Sequence, residues 1–425
     1  MNFIDELRWR GMFNDATPGV EEHLLEKMRV GYIGFDPTAP ALTIGNYVQI
    51  MILKLFQLAG HKPIIIMGGA TGRIGDPSGK DKERELKSFD ELDGNLDNQM
   101  VYFRKFLDFE EGEKKAEFRN NLDIYSNMNV LDFLRDVGKS LTVNYMMSKT
   151  SVKKRVETGL SFTEFSYQLI QGYDFQWLYE NDDVTIQMGG SDQWGNITTG
   201  TEFIGKNVEG GKAYAVTTPL LTKSDGSKFG KSESGNIWLD PKMTSPYKFY
   251  QFWINGADDD ITKFNRYFSL KSREAIKALE ANHAENPNAM KKALAEELVV
   301  RVHGQEAYES VAKVSGLLFN KKASKEYLMG LSSDELATVA DEIPSFQIAH
   351  ADLGATVNVV DLITAHATIL SSKGEAKRAI KGNALSINKE KVNSDDFTVS
   401  KSDWLHDKYL MVENGKKNKY ILSLN

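Results

Sequence analysis

"RVGYIGFDPTAPALTIGNYVQIMILKLFQLAGHKPIIIMGG", residues 29–69, is the stretch on which the fold turns. It begins with an apolar run, Arg29 to Phe35, closed by Asp36-Pro37-Thr38. A short apolar run bounded by turn residues predicts a buried strand. Residues 43–60 carry a helical pattern that Gly60 ends. "KPIIIMGG", residues 62–69, reads as a second buried strand. Strand, helix and strand in this order predict a parallel pair with the helix crossing one face. The helix opens on Thr43-Ile44-Gly45-Asn46, polar and glycine-bearing where apolar packing usually begins, which raises the question of what that end holds.

The same rhythm continues outward. "DVTIQMGG" (183–190) and "AYAVTTPLL" (213–221) read as further buried strands, so the first half is expected to be an α/β parallel sheet with helices on both faces. After Pro246 the pattern becomes helical. In "ENPNAMKKALAEELVVRVHG" Asn286 reads as the cap, Pro287 as the first turn and Gly304 as the end, with Met290, Leu294, Leu298 and Val302 as the apolar stripe. An acidic stretch at 332–345 leads to a tail that mixes a short helix, "GEAKRAIKG", with strand-like pieces. Asn414-Gly415 between two of those pieces predicts a hairpin.

Composition narrows the function. The chain has 425 residues, 41% hydrophobic and 26% charged, an ordinary globular composition long enough for two or three domains. No apolar run is long enough to span a membrane, and the start, "MNFIDELRWRG", lacks an apolar signal core. There is no cysteine, which excludes disulfides, thiolate metal sites and cysteine nucleophiles and fits a reducing compartment such as the cytoplasm. The seven histidines are scattered, with no pair at metal-ligand spacing. A net charge of −7 argues against non-specific coating of nucleic acid. Residues 371–425 hold 11 Lys or Arg against 7 Asp or Glu, a local balance of +4.

Four motifs carry chemistry. "GGATGRIGDPSGK" (68–80) and "GGSDQWGN" (189–196) each follow a predicted strand, where ligands of an open parallel sheet bind. Glycine-rich turns also simply end strands, but two that combine Gly, Asp and Ser or Thr favour one shared site. "GDPSGKD" has three residues between its glycines and Asp81 after Lys80, so it is not a P-loop. Gly69, Gly72 and Gly75 approach a dinucleotide fingerprint, yet Asp76-Pro77 stops any helix that would face a pyrophosphate. "LTKSDGSKFGKSESG" (221–235) places Lys228 and Lys231 on a Gly- and Ser-rich loop, suited to gripping and releasing a polyphosphate, or else simply exposed and basic. "FSYQLIQGYDFQWLY" (165–179) puts Tyr167, Gln171 and Asp174 on one helix face. Aromatics at that spacing are usually core, and Phe165, Phe175 and Trp177 are expected there, but Gln171 and Asp174 need polar partners.

Together these elements resemble class I aminoacyl-tRNA synthetases, specifically bacterial tyrosyl-tRNA synthetases, over essentially the whole chain. "YIGFDPTAPALTIGN" is similar to the first class motif and "KFGKS" (228–232) to the second, the KMSKS loop. "SSKGEAKRAIKGNALSINKEKV" (371–392) resembles an RNA-binding alpha-L motif. The resemblance implies a Rossmann-like catalytic domain over 1–225 with a dimer-side insertion at about 125–160. It implies a helical domain over 226–335 and an α+β RNA-binding domain over 346–425.

The resemblance also implies the reaction. L-tyrosine attacks ATP to give tyrosyl-adenylate and pyrophosphate, and tRNA(Tyr) then takes the tyrosyl group. Such transfers need positioning and charge stabilisation more than a nucleophile on the protein. ATP is a substrate carrying Mg2+ on its phosphates, and no protein-bound metal is expected. Lys228 and Lys231 would close on pyrophosphate, Lys80 and Arg84 would be a second cation pair, and Thr38 would meet the outer phosphates. Gly34, Asp36, Gly45, Gly190, Asp192 and Gln193 would bind the nucleotide. Tyr32 and Asp174 would bind the phenol, and Asp76, Tyr167 and Gln171 the ammonium. Lys153, Lys154 and Arg155 would meet tRNA phosphates, as would Lys377, Arg378 and Lys381 in the tail. A homodimer without membrane attachment is implied.

One motif departs from the family pattern. His-Ile-Gly-His is replaced by Thr43-Ile44-Gly45-Asn46, whose two side chains lie on one face and are expected to donate hydrogen bonds toward phosphate. The change leaves room for a catalytically weak RNA-binding paralogue. A tryptophanyl-type synthetase is a second alternative, which Tyr32, Asp174 and the basic tail oppose. An NAD-dependent oxidoreductase explains neither "KFGKS" nor the tail.

Overall fold

The computed structural model describes residues 2–78, 85–110, 112–232, 235–282, 286–320, 322–415 and 418–425. It divides into two compact units, residues 1–245 with 251–302, and residues 246–250 with 303–425.

The first unit is built on a six-stranded sheet: β1 (Asp15–Ala16), β2 (Val30–Phe35), β3 (Lys62–Met67), β4 (Glu117–Asn120), β5 (Val184–Gly190) and β6 (Tyr214–Thr218). Their order is β1-β6-β5-β2-β3-β4, with β1 antiparallel and the others parallel. The predicted crossover helix runs over Ile44–Leu58, with Thr43 as its cap. Its apolar face is fully covered, with Ile44, Tyr47, Ile50, Leu53 and Phe56 all buried. The chain winds from β2 outward to β3 and β4, then returns to place β5 on the other side of β2. That reversal opens a crevice beyond the carboxyl ends of β2 and β5, where open α/β sheets bind ligands.

Two local features keep the crevice open. After β3 the chain makes only a short helix, Thr71–Ile74, before Gly75 (φ 89°) and Asp76-Pro77 turn it away. The helix Phe162–Asp182, capped by Ser161, runs beside β5 and carries Tyr167, Gln171 and Asp174 on one face. Phe175 on the same helix is fully buried against Tyr32.

Residues 226–245 and 251–302 belong with this sheet because of their aromatic side chains. Phe229 packs among Phe252, Trp253, Phe264 and Phe268, and Phe268 stacks on Tyr47 of the crossover helix. The helix Pro287–His303 buries Met290, Leu294, Leu298 and Val302, the stripe read from the sequence. The segment 226–335 is thus divided between the two units, with 246–250 and 303–335 in the second.

The second unit holds the helices Gln305–Phe319 and Ser333–Glu342 together with the tail. Its five-stranded sheet runs Glu390–Lys391, Leu385–Ile387, Tyr409–Asn414, Asn418–Leu424, Ser345–Ile348, with only the last pair parallel. The predicted hairpin is present, with Asn414 opposite Asn418 and Gly415 at φ 76°. The helix Lys373–Lys381 buries Ala376 and Ile380 in a core with Val359, Leu362, Leu385, Leu410 and Leu422. Lys419 Nζ donates to the carbonyls of Leu317 and Leu318 at 2.8 and 2.7 Å, at the carboxyl end of the helix Gln305–Phe319. A cation there satisfies orphan carbonyls and the negative end of the helix dipole, which ties that helix to the tail.

Candidate active site

A cavity of about 670 Å³ fills the crevice between β2 and β5. Its walls bring together the described residues singled out for tyrosine, namely Tyr32, Asp76, Tyr167, Gln171 and Asp174. They also bring together those singled out for nucleotide and phosphate: Gly34, Asp36, Thr38, Thr43, Gly45, Asn46, Gly190, Asp192, Gln193, Lys228 and Lys231. Lys80 and Arg84 lie outside the described residues.

One end is a buried carboxylate with donors around it. Asp174 is 2% exposed. Its Oδ1 accepts from the Tyr125 hydroxyl at 2.6 Å and its Oδ2 from Asn121 Nδ2 at 2.9 Å. Burial pushes the Asp174 carboxyl up to about 7, against the pull of those two hydrogen bonds and with the help of the Asp36 charge. The Tyr32 hydroxyl, also buried, has no hydrogen-bond partner. Burial and the Asp174 charge hold that phenol well above the usual tyrosine range, so it stays a neutral donor. Neither Asn121 nor Tyr125 was singled out in the sequence. Their signal was position, since both follow β4 at the carboxyl edge of the sheet.

Next along the cavity stands a group of acceptors. Tyr167 donates its hydroxyl to Asp36 Oδ2 at 3.1 Å. Gln171 Oε1 is buried without a partner. Asp76 is held from three sides, by the Ser78 N–H at 2.9 Å, Gln193 Nε2 at 2.7 Å and Asn196 Nδ2 at 3.3 Å. Gln49 and Gln187, which also line the cavity, each leave Oε1 without a partner. Native interiors pair nearly all such atoms, so this concentration around one cavity marks a polar ligand's place.

The other end is open backbone and cations. A Cβ at Gly45 would meet only Thr43 Oγ1, at 3.3 Å, so the helix start presents bare backbone to the cavity. Burial raises the Asp192 carboxyl above its ordinary value, as does Asp76, while Lys228 opposes both. The basic loop is fastened to the same helix start. Thr43 bridges Trp238, the Ile44 N–H donates to Ile237 O at 3.0 Å, and the Leu239 N–H to Leu42 O at 2.8 Å. At its base Ser224 donates to Asp260 through its N–H at 2.8 Å and its hydroxyl at 3.2 Å, and Lys263 Nζ donates to Thr222 O at 2.8 Å. Lys228 and Lys231 are left exposed at the lip.

Two expectations change. Thr43 does not offer its hydroxyl proton to the cavity; it donates it to Asn46 Oδ1 at 2.8 Å. The Thr43 N–H donates to the same oxygen at 3.0 Å, and the Asn46 N–H returns a bond to Thr43 Oγ1, a reciprocal capping box. Of the two side chains, the capping box leaves Asn46 Nδ2 as the donor it does not use. Arg155 is the second correction: it is 2% exposed and pairs with Glu164 through two 2.8 Å hydrogen bonds. A guanidinium so enclosed is not presented to phosphate. Lys153 is exposed, and Lys154 lies on the same helix, Thr150–Thr158. Lys377, Arg378 and Lys381 are exposed along Lys373–Lys381, with Lys377 paired to Asp395 at 2.9 Å.

The chain is similar to known proteins along its whole length. The family model described as "tRNA synthetases class I (W and Y)" matches residues 26–320, and that of the "Tyrosine--tRNA ligase SYY-like C-terminal domain" matches 335–423. The tyrosine–tRNA ligase of Cytophaga hutchinsonii is 52% identical over 428 residues, covering 100% of both chains. That of Parabacteroides distasonis is 50% identical over 99% of each. Among solved structures, a C-terminally truncated mitochondrial tyrosyl-tRNA synthetase from Coccidioides posadasii aligns at a TM-score of 0.65 and 30% identity, over 74% of this chain and 91% of its own. The sheet, the cavity and the two paired motifs define a class I aminoacyl-tRNA synthetase. Within that class, the chain belongs to the tyrosine–tRNA ligase family.

Proposed function

We propose that this chain joins L-tyrosine to tRNA(Tyr) in two steps within the cavity between β2 and β5. In the first, a tyrosine carboxylate oxygen forms a bond to the α-phosphorus of ATP and the bond to the bridging oxygen breaks, releasing pyrophosphate. In the second, a hydroxyl of the terminal tRNA ribose attacks the tyrosyl carbonyl and AMP departs.

The observation that carries the reading is the unpartnered, buried Tyr32 hydroxyl in the same cavity as the Asp174 carboxylate. A phenol satisfies both at once, donating to Asp174 and accepting from Tyr32. A phenylalanine would leave both unpaired, which is how a polar pocket rejects the analogue. The tyrosine ammonium finds acceptors in Tyr167, Gln171 and Asp76. The amino acid then points its carboxylate toward the helix start, where Asn46 Nδ2, Thr38, Lys228 and Lys231 receive the phosphates. Gly34, Gly45, Asp36, Gly190, Asp192 and Gln193 take the nucleoside. Catalysis on this reading is alignment and charge stabilisation in a partly dry site.

Mg2+ is taken to arrive on the ATP phosphates. The tail takes RNA through Lys377, Arg378 and Lys381, and Lys153 and Lys154 take acceptor-stem phosphates. A homodimer is supported by the exposed apolar side chains Val130, Leu131, Leu134, Val143 and Val156 on the expected dimer-side segment. Location in the cytoplasm is part of the same reading.

Tyrosine-dependent ATP–pyrophosphate exchange, followed by charging of tRNA(Tyr), is the test. Exchange with tyrosine and none with tryptophan is expected. RNA binding without exchange would instead make the chain an inactive paralogue.

A further inference from the structure

Asp174 is more tightly held than a simple phenol acceptor requires. Asn121 cannot turn away from it. The Asn121 Oδ1 accepts the Ala70 N–H at 2.7 Å, which fixes Nδ2 toward Asp174 Oδ2 at 2.9 Å and Thr71 Oγ1 at 3.1 Å. The other carboxylate oxygen faces Tyr125, whose hydroxyl also stands 2.7 Å from the carbonyl of Ile170. We propose that Tyr125 is a positioning residue for tyrosine recognition, holding the Asp174 carboxylate in its charged acceptor form and in one orientation toward the substrate phenol. This rests on the reading of the cavity as a tyrosine site.

The Tyr125 hydroxyl has one proton and two acceptors within reach. A carboxylate outcompetes a neutral carbonyl for it, because charge-assisted hydrogen bonds are the stronger. With Asp174 ionised, the proton lies on the Tyr125–Asp174 line. If Asp174 took up a proton, Tyr125 would turn its own toward Ile170 and accept from the acid. The acid is the weaker acceptor for a substrate phenol. Among the described residues, the titratable and charged groups facing Asp174 are Tyr32, Asp36 and Tyr125. Asp36 raises the carboxyl and Tyr125 lowers it, as does the neutral Asn121. Removing the Tyr125 hydroxyl therefore moves Asp174 upward from about 7. The ring itself packs near Phe133 and Tyr173, at centroid distances of 6.2 and 6.1 Å, so a phenylalanine fills the same space.

The experiment is tyrosine-dependent ATP–pyrophosphate exchange by the full-length wild type and Tyr125→Phe between pH 6 and 8.5, with melting temperature as the folding control. In wild type, kcat/KM for tyrosine should fall as pH drops through about 7. In Tyr125→Phe that midpoint should lie higher, and KM for tyrosine at pH 7 should rise by roughly fivefold, the loss of ionised Asp174 when a midpoint near 7 moves up by about one unit. KM for ATP and kcat at saturating tyrosine should stay within about twofold, as expected when only ground-state tyrosine binding changes. The same midpoint in both proteins, or a fall in kcat with no shift in the pH profile, would overturn the proposal. Absence of exchange in the wild type would overturn the tyrosine reading itself, and this proposal with it.

Discussion

Thr43 spends its hydroxyl proton on Asn46. The Thr43 Oγ1 to Asn46 Oδ1 distance is 2.8 Å, and the same Oδ1 accepts the Thr43 N–H at 3.0 Å. This pair stands where the family pattern has two histidines. Its arrangement assigns unequal parts: Asn46 presents an amide to the cavity and Thr43 fixes which way that amide points.

Asn46→Ala should slow adenylate formation by roughly 10- to 100-fold, about 1.4 to 2.7 kcal/mol, with little change in tyrosine binding. Thr43→Ala should slow it less and should lower stability by about 1 kcal/mol through loss of the cap. Thr43→Ser should restore both. Pre-steady-state adenylate formation at saturating tyrosine, with thermal melting alongside, makes the comparison. A larger rate loss in Thr43→Ala than in Asn46→Ala would mean that Thr43 meets the phosphate itself.

Asp174→Ala should cripple tyrosine activation while leaving ATP binding in place, since Asp174 belongs to the end of the cavity lined by Tyr32 and Asn121. Equilibrium binding of tyrosine and of ATP, measured separately, checks this. Tyrosine activation at the wild-type rate would remove the phenol assignment.

Gly230 lies in "KFGKS" at φ 86°, with its missing Cβ aimed 3.2 Å from Ile44 Cγ1 and 3.5 Å from the Gly45 N. Gly230→Ala combines left-handed backbone strain, about 1 kcal/mol, with a push on the first turn of the crossover helix. Adenylate formation should fall at least several-fold, with tyrosine affinity unchanged. Stopped-flow measurement of the adenylate step reads it, and an unaltered rate would show that loop and helix start can separate freely during the reaction.

Deleting residues 346–425 should leave tyrosine-dependent exchange largely intact, because every lining residue of the cavity falls between 32 and 236. Charging of tRNA should drop to near background. The cut also removes Lys419 and its bonds to the carbonyls of Leu317 and Leu318, so the remaining helices 305–342 should melt earlier. Full charging by the truncated chain would refute an RNA role for the tail.

Local periodicity made much of the fold legible. The buried strands, the crossover helix and the face bearing Tyr167, Gln171 and Asp174 all follow from apolar spacing and terminal residues, which act within one or two turns. The glycine-rich strand ends were legible for the same reason, and the cavity does gather them. The boundary at 302/303 was not legible, because it depends on which core the aromatic ring of Phe229 and the ammonium of Lys419 join.

The sequence by itself determined the strand–helix–strand order, the helix end at "TIGN" and most of the motif side chains that the cavity gathers. Only the tertiary structure decided how those side chains are used. It turned Arg155 inward to Glu164, closed Thr43 onto Asn46, and brought Asn121 and Tyr125 from the far end of β4 onto Asp174. The physical reason is the same in each case. A donor's partner is chosen by burial and by distance in space, and for Asp174 the donors come from residues 53 and 49 positions away in the chain.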